Sequence, residues 1–153
     1  MMRRRLILLG LAAATLTASG TLAAERPTPE QVQALTLKAA ALVGANSVEK
    51  AREAFHGDGE FRFGEIYVNV IDVNGTWLIY PPNPRNEGKS VLNVKDSNGK
   101  LLVQEIIQVA RDKGEGWVEY QWLNPASNRI EPKITYVKKV SGKDLIVYSG
   151  IYK

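Results

Sequence analysis

The chain has 153 residues, a formal net charge of +4, a single histidine and no cysteine. Disulfides, thiol chemistry and a lipidated cysteine anchor are thereby excluded, and the usual zinc-ligand spacings cannot be assembled. Arg3, Arg4 and Arg5 account for three units of that net charge of +4, leaving +1 for the remainder, which has no basic field for nucleic acid or anionic lipid.

Residues 1–24 have the layout of an export signal. The basic Arg3–Arg5 is followed by an apolar stretch from Leu6 to Ala14, then by small residues ending at Thr21-Leu22-Ala23-Ala24. Thr15, Thr17 and Ser19 break the apolar run short of the roughly 20 residues a spanning helix needs. Cleavage near Ala23 or Ala24 is expected to leave residues 25–153 as one domain of periplasmic location. No second run of spanning length follows, so no membrane span is expected after cleavage.

Thr28-Pro29-Glu30-Gln31 is a helix start: a capping threonine, proline at the first helical position and a capping-box glutamine. Val32, Leu35, Ala39, Leu42 and Val43 recur at helical spacing, and Gly44 is the expected end. Asn46 and Glu49 pair as a second capping box, opening a shorter helix to about Phe55. His56-Gly57-Asp58-Gly59 is a turn.

Ile66 to Ile71 is β-branched and aromatic and predicts a strand. Asn74-Gly75 is a hairpin signal joining it to Trp77–Tyr80. Pro81-Pro82-Asn83-Pro84 cannot continue a ladder, so an irregular loop follows. Asp96-Ser97-Asn98-Gly99 is a tight turn; it lacks the downstream glutamate of a calcium loop. Leu102, Ile106, Val109 and Ala110 mark a helix ending at Gly114 and Gly116. Strands over 117–123, 130–140 and 145–152 complete the chain. Tight turns rather than crossover helices separate them, which predicts an α+β domain with one antiparallel sheet of about five strands.

No partnered base, metal cluster or phosphate loop is present, so neither an enzyme nor a cofactor is expected; His56 alone in a turn does not make a catalytic base. Aromatic density is high along the strands. Period-two alternation puts Lys133 on a face with Thr135 and Val137, and Tyr120 and Trp122 on a face with Val118. If those faces line one cavity, an ammonium and a phenol among apolar walls would hold a small carboxylate. The alternative is a solvated lysine on an exposed sheet face.

A series of short motifs in fixed order resembles the single-Cache type 2 group of extracytoplasmic sensor domains. They are Gly64-Glu65-Ile66-Tyr67-Val68, Asp72 with Gly75, Tyr80-Pro81, Asn83-Pro84, Gly88-Lys89 and Asp96 with Gly99-Lys100-Leu101. Gly114 to Trp122, Pro132-Lys133 with Tyr136-Val137, and Ser149-Gly150-Ile151-Tyr152 follow. The resemblance implies a PAS-like fold with a long N-terminal helix and a ligand cavity on one sheet face. It implies sensing of a small molecule, commonly a short carboxylate such as acetate, propionate or pyruvate. Tyr80, Tyr120, Trp122 and Lys133 become the implied ligand-binding residues, with Lys133 pairing the carboxylate and residues 81–90 partly covering the cavity. Many relatives have histidine where Tyr80 stands. Most also lie between two membrane helices of a receptor, kinase or cyclase. A free periplasmic form is expected here, signalling through a membrane receptor, kinase or transporter. A non-binding docking protein is the alternative.

Overall fold

A computed structural model describes residues 26–153; the export signal expected over residues 1–24 lies outside the described residues. Helix α1 spans Pro29–Ala45 and is capped as its sequence predicts, with Thr28 Oγ1 accepting from the Gln31 N–H and Gln31 Oε1 accepting from the Thr28 N–H. The helix runs through Gly44 instead of ending there. The reason is tertiary: the Lys143 ammonium donates to the carbonyls of Val43 and Asn46, so the last turn needs no left-handed glycine to satisfy its acceptors. Asn46 is likewise not the second cap. Its amide donates to Leu42 O, and Ser47 caps helix α2, Val48–His56, by accepting from the Lys50 N–H.

Six strands form the sheet: β1 (Arg62–Phe63), β2 (Ile66–Asp72), β3 (Trp77–Ile79), β4 (Glu115–Asn124), β5 (Arg129–Lys139) and β6 (Leu145–Tyr152). The added strand relative to the sequence reading is the two-residue β1, too short for periodicity to reveal. All pairings are antiparallel, in the order β1-β2-β6-β5-β4, with β3 beside β2. A bulge at Leu78 shifts the β2–β3 register between Val70↔Ile79 and Ile71↔Trp77. The extra residue sends Trp77 into one core and Ile79 into the other.

Strand alternation divides the sheet into two faces. One carries Val68, Val70 and Val147 and is covered by α1 and α2 through Ala39, Val43, Ala51 and Phe55. The other carries Tyr67, Ile71, Val118, Tyr120, Val137, Ile146 and Tyr148. Helix α3, Leu102–Lys113, covers it with Leu102, Val103, Ile106 and Ala110. Gly114 ends α3 in the left-handed region at φ 77° and donates to Ala110 O. Among the described residues no helix is long and apolar enough to cross a membrane.

Candidate functional site

The face under α3 gathers the polar side chains. Lys133 projects from β5 and is 1% exposed, so the solvated-lysine alternative is excluded. Its ammonium donates to Tyr67 Oη at 2.8 Å and reaches Tyr152 Oη at 3.5 Å. It lies 3.9 Å from the Tyr67 ring centroid and 4.7 Å from that of Tyr152, a cation–π geometry. Among the described residues no carboxylate pairs with it. Burial therefore lowers its pKa to about 7, an effect opposed by the more distant Glu65. Glu65 itself is engaged by the Tyr152 N–H and the Asn124 amide.

A glycine makes room for this lysine. Gly150 on β6 lies opposite Thr135. A Cβ there would overlap Ile134 O and Thr135 Oγ1 and come within 3.0 Å of Lys133 Cε. The lysine stem can cross β6 only because that position has no side chain.

Around the ammonium the aromatic groups form a hydrogen-bonded cage. Tyr67 Oη lies 3.2 Å from Tyr152 Oη, and Tyr152 donates to Leu123 O. Tyr120 Oη meets Thr135 Oγ1 at 3.0 Å. The Trp77 indole donates to Tyr148 Oη at 2.8 Å. Burial raises the pKa of Tyr67, Tyr120, Tyr148 and Tyr152, so all four remain protonated donors at neutral pH.

Tyr80 and Trp122 close the outer side. Tyr80 stacks on Trp77 with ring centroids 3.9 Å apart, and the Trp122 indole reaches Tyr80 Oη at 3.4 Å. The Tyr80 backbone is held from outside by Glu87, whose Oε1 accepts its N–H at 2.7 Å. The same carboxylate meets His56 at 2.6 Å and Arg52 at 3.0 Å. The segment that positions Tyr80 is thus tied to α2. Residues 81–90 return along β3, with Gly88 donating to Trp77 O, and Val91 then enters the core beneath α3. On the far side of the cage, Asp96 fastens its turn to the edge strand. Burial opposes ionisation of Asp96, but N–H donors from Gln121, Lys100 and Asn98 outweigh it and hold the pKa low. Beside this turn an open cleft of about 200 Å³ has Lys100, Tyr120 and Lys133 in its wall.

Tyr80, Tyr120, Trp122 and Lys133 thus occupy one region, with Tyr120 directly across from Lys133 in the β4–β5 ladder. The ammonium, however, touches Tyr67 and Tyr152, which strand propensity marks only as strand aromatics. Their alternation with Ile71 and Tyr148 was the available signal; the contact itself depends on strand order.

A profile of the family described as Single Cache domain 2 matches residues 30–153. Two curated relatives match over 86 residues, 56% of this chain. They are the methyl-accepting chemotaxis protein McpP of Pseudomonas putida, 24% identical, and the sensor histidine kinase MctS of Rhizobium johnstonii, 27% identical. The matched stretch is 16% and 18% of their respective lengths. A solved periplasmic sensor domain of a chemotaxis protein is 32% identical, with TM-score 0.63, covering 80% of this chain and 88% of its own. A Cache chemosensory domain solved for its recognition of carboxylic acids shares the fold at TM-score 0.70 and 23% identity, covering 80% and 91%.

Proposed function

The chain belongs to the single Cache domain 2 family, and from that premise we propose that it is an extracytoplasmic sensor module that binds a short carboxylate beside Lys133. The carrying observation is a fully buried ammonium that meets only phenols. Burying an unpaired charge is unfavourable. A carboxylate entering the cage would supply the missing counter-charge in a dry surround, where a charge-assisted hydrogen bond is strongest. Tyr80, Tyr120 and Trp122 complete the proposed site as neutral donors and apolar wall. Recognition of carboxylic acids by a Cache relative of the same fold supports this choice of ligand. Sensing rather than catalysis also fits the chemistry: the one histidine, His56, sits on α2 and is held by Glu87.

Residues 1–24 would deliver the domain across the membrane. The signal would pass to a receptor, kinase or transporter, as the related chemoreceptor and histidine kinase suggest. Tyr80 gives that signal a physical start. A ligand that moves its ring off Trp77 pulls on Glu87, and through it on α2.

Calorimetric titration of the purified protein with acetate, propionate and pyruvate tests the reading. Saturable binding is expected, and Lys133→Met should weaken it by about 2–5 kcal/mol, roughly thirtyfold or more. No binding by any acid, or equal binding by the variant, would overturn it. A docking protein with a permanently closed cage is the competing reading, favoured by the close Trp77–Tyr80 stack. It leaves the unpaired ammonium without a purpose.

A further inference from the structure

Asn69 lies on β2 between Tyr67 and Ile71, on the cage face, and is 2% exposed. Its partner across the ladder is Tyr148. Its Oδ1 is the only buried side-chain nitrogen or oxygen among the described residues that has no hydrogen-bond partner. The neighbouring polar groups meet other partners: Tyr148 Oη accepts from the Trp77 indole, Tyr67 Oη accepts from Lys133, and Thr135 Oγ1 meets Tyr120 Oη, while none of them reaches Oδ1. The contrast extends through the sheet. On the opposite face the buried hydroxyls of Thr36 and Ser149 meet at 2.7 Å, and Thr36 also donates to Val32 O. A buried amide oxygen left without a donor is unfavourable, and an apolar residue of the same shape would avoid that penalty.

We infer that Asn69 is a specificity residue whose oxygen accepts a hydrogen bond from the ligand, and that the ligand is therefore a short hydroxy carboxylate rather than a simple alkyl acid. This rests on the carboxylate reading above and adds to it. The two anchor points are close. Asn69 and Tyr67 are alternate residues of one strand, roughly 7 Å apart at Cα, and Tyr67 Oη touches the ammonium. The inferred ligand is a chain of three or four carbons, with its carboxylate at Lys133 and its hydroxyl at Asn69.

The chemistry of the surround selects the donor. An ammonium group on the ligand would meet Lys133 with no acidic side chain to balance it, since Glu65 is already engaged. A keto oxygen can accept from the Asn69 amide nitrogen but cannot donate, and so would leave Oδ1 without a partner. A hydroxyl is a neutral donor and meets neither objection.

Matched pairs of acids provide the test: lactate against propionate and pyruvate, and 3-hydroxybutyrate against butyrate, titrated calorimetrically into the protein and into Asn69→Leu. One hydroxy acid is expected to bind about tenfold more tightly than its deoxy partner. Asn69→Leu should bring the pair within about twofold by weakening the hydroxy acid alone. If propionate, butyrate or pyruvate binds as tightly as the hydroxy acids, or if Asn69→Leu retains the preference, the inference is overturned while carboxylate binding stands. If no acid binds, both readings fall together. The wild-type pairs decide the matter even if the leucine variant does not fold.

Discussion

The two faces of this sheet are built from the same strands but to different rules. Under α1 and α2 the contacts are mainly aliphatic, joined by Phe55 against Phe61 and by Tyr136 against Trp117, each pair with ring centroids 4.9 Å apart. The chief buried polar contact there, Thr36 with Ser149, is completed by Thr36 donating to Val32 O. Under α3 and Tyr80 the face holds a buried ammonium, four buried phenols and an orphaned amide oxygen. Adjacent positions on one strand therefore serve opposite ends: Val68 and Val70 hold the fold, Tyr67 and Asn69 stand in the cage. A sheet can carry both because successive residues of a strand point to opposite faces and share almost no contacts.

The comparison breaks most visibly under truncation of the scaffold. Phe55→Ala should lower stability by about 3–5 kcal/mol, seen as a fall in the urea midpoint at unchanged slope, with carboxylate affinity retained in the folded protein. Lys133→Met, its counterpart on the other face, should do the reverse. Its midpoint at pH 6 should equal or exceed the wild type, because a buried unpaired charge is removed. A large loss would make Lys133 a structural residue.

A smaller effect is expected from pH. Lys133 titrates near 7 when folded, against 10.5 for an unperturbed lysine. Between those values the unfolded chain holds a proton that the folded chain has released, so stability should rise with pH across that window, by up to a few kcal/mol. The raised phenol pKa values act in the opposite sense above about pH 10. Urea midpoints at pH 6, 8 and 9.5 measure this, and Lys133→Met should flatten the rise. Carboxylate affinity should run the other way, falling as pH increases through about 7, because only the protonated amine pairs with the anion. Titrations in buffers of different ionisation enthalpy should show proton uptake on binding near pH 8.

The least effect belongs to the link between the faces. Glu87→Gln weakens the ties to His56, Arg52 and the Tyr80 N–H together. These groups are partly solvated, so the stability loss should be about 1 kcal/mol. If Glu87 carries motion from the cage to α2, ligand-induced change in amide exchange across α2 should shrink in this variant. An unchanged α2 response would place the signal path elsewhere.

Much of the fold was legible because its signals are local. The Thr28–Gln31 box, the Asn74-Gly75 turn, the Asp96–Gly99 turn and Gly114 act over a few residues, and each element they bound lies where the spacing places it. Sequence spacing failed where a distant group intervened. Lys143 satisfied the end of α1 in place of Gly44, and the bulge at Leu78 turned Trp77 and Ile79 to opposite cores.

The candidate site divides along the same line. Alternation sufficed to put Lys133 with Thr135 and Tyr120 with Trp122, because side-chain direction in a strand is a property of the strand alone. That the ammonium sits against Tyr67 and Tyr152, 66 and 19 residues away, follows from β6 lying between β2 and β5 and from a glycine at position 150. Local chemistry determined which elements form and which faces they offer. Only the packing of both faces at once decided the strand order and register, and so left one ammonium and one amide oxygen buried without protein partners of their own kind.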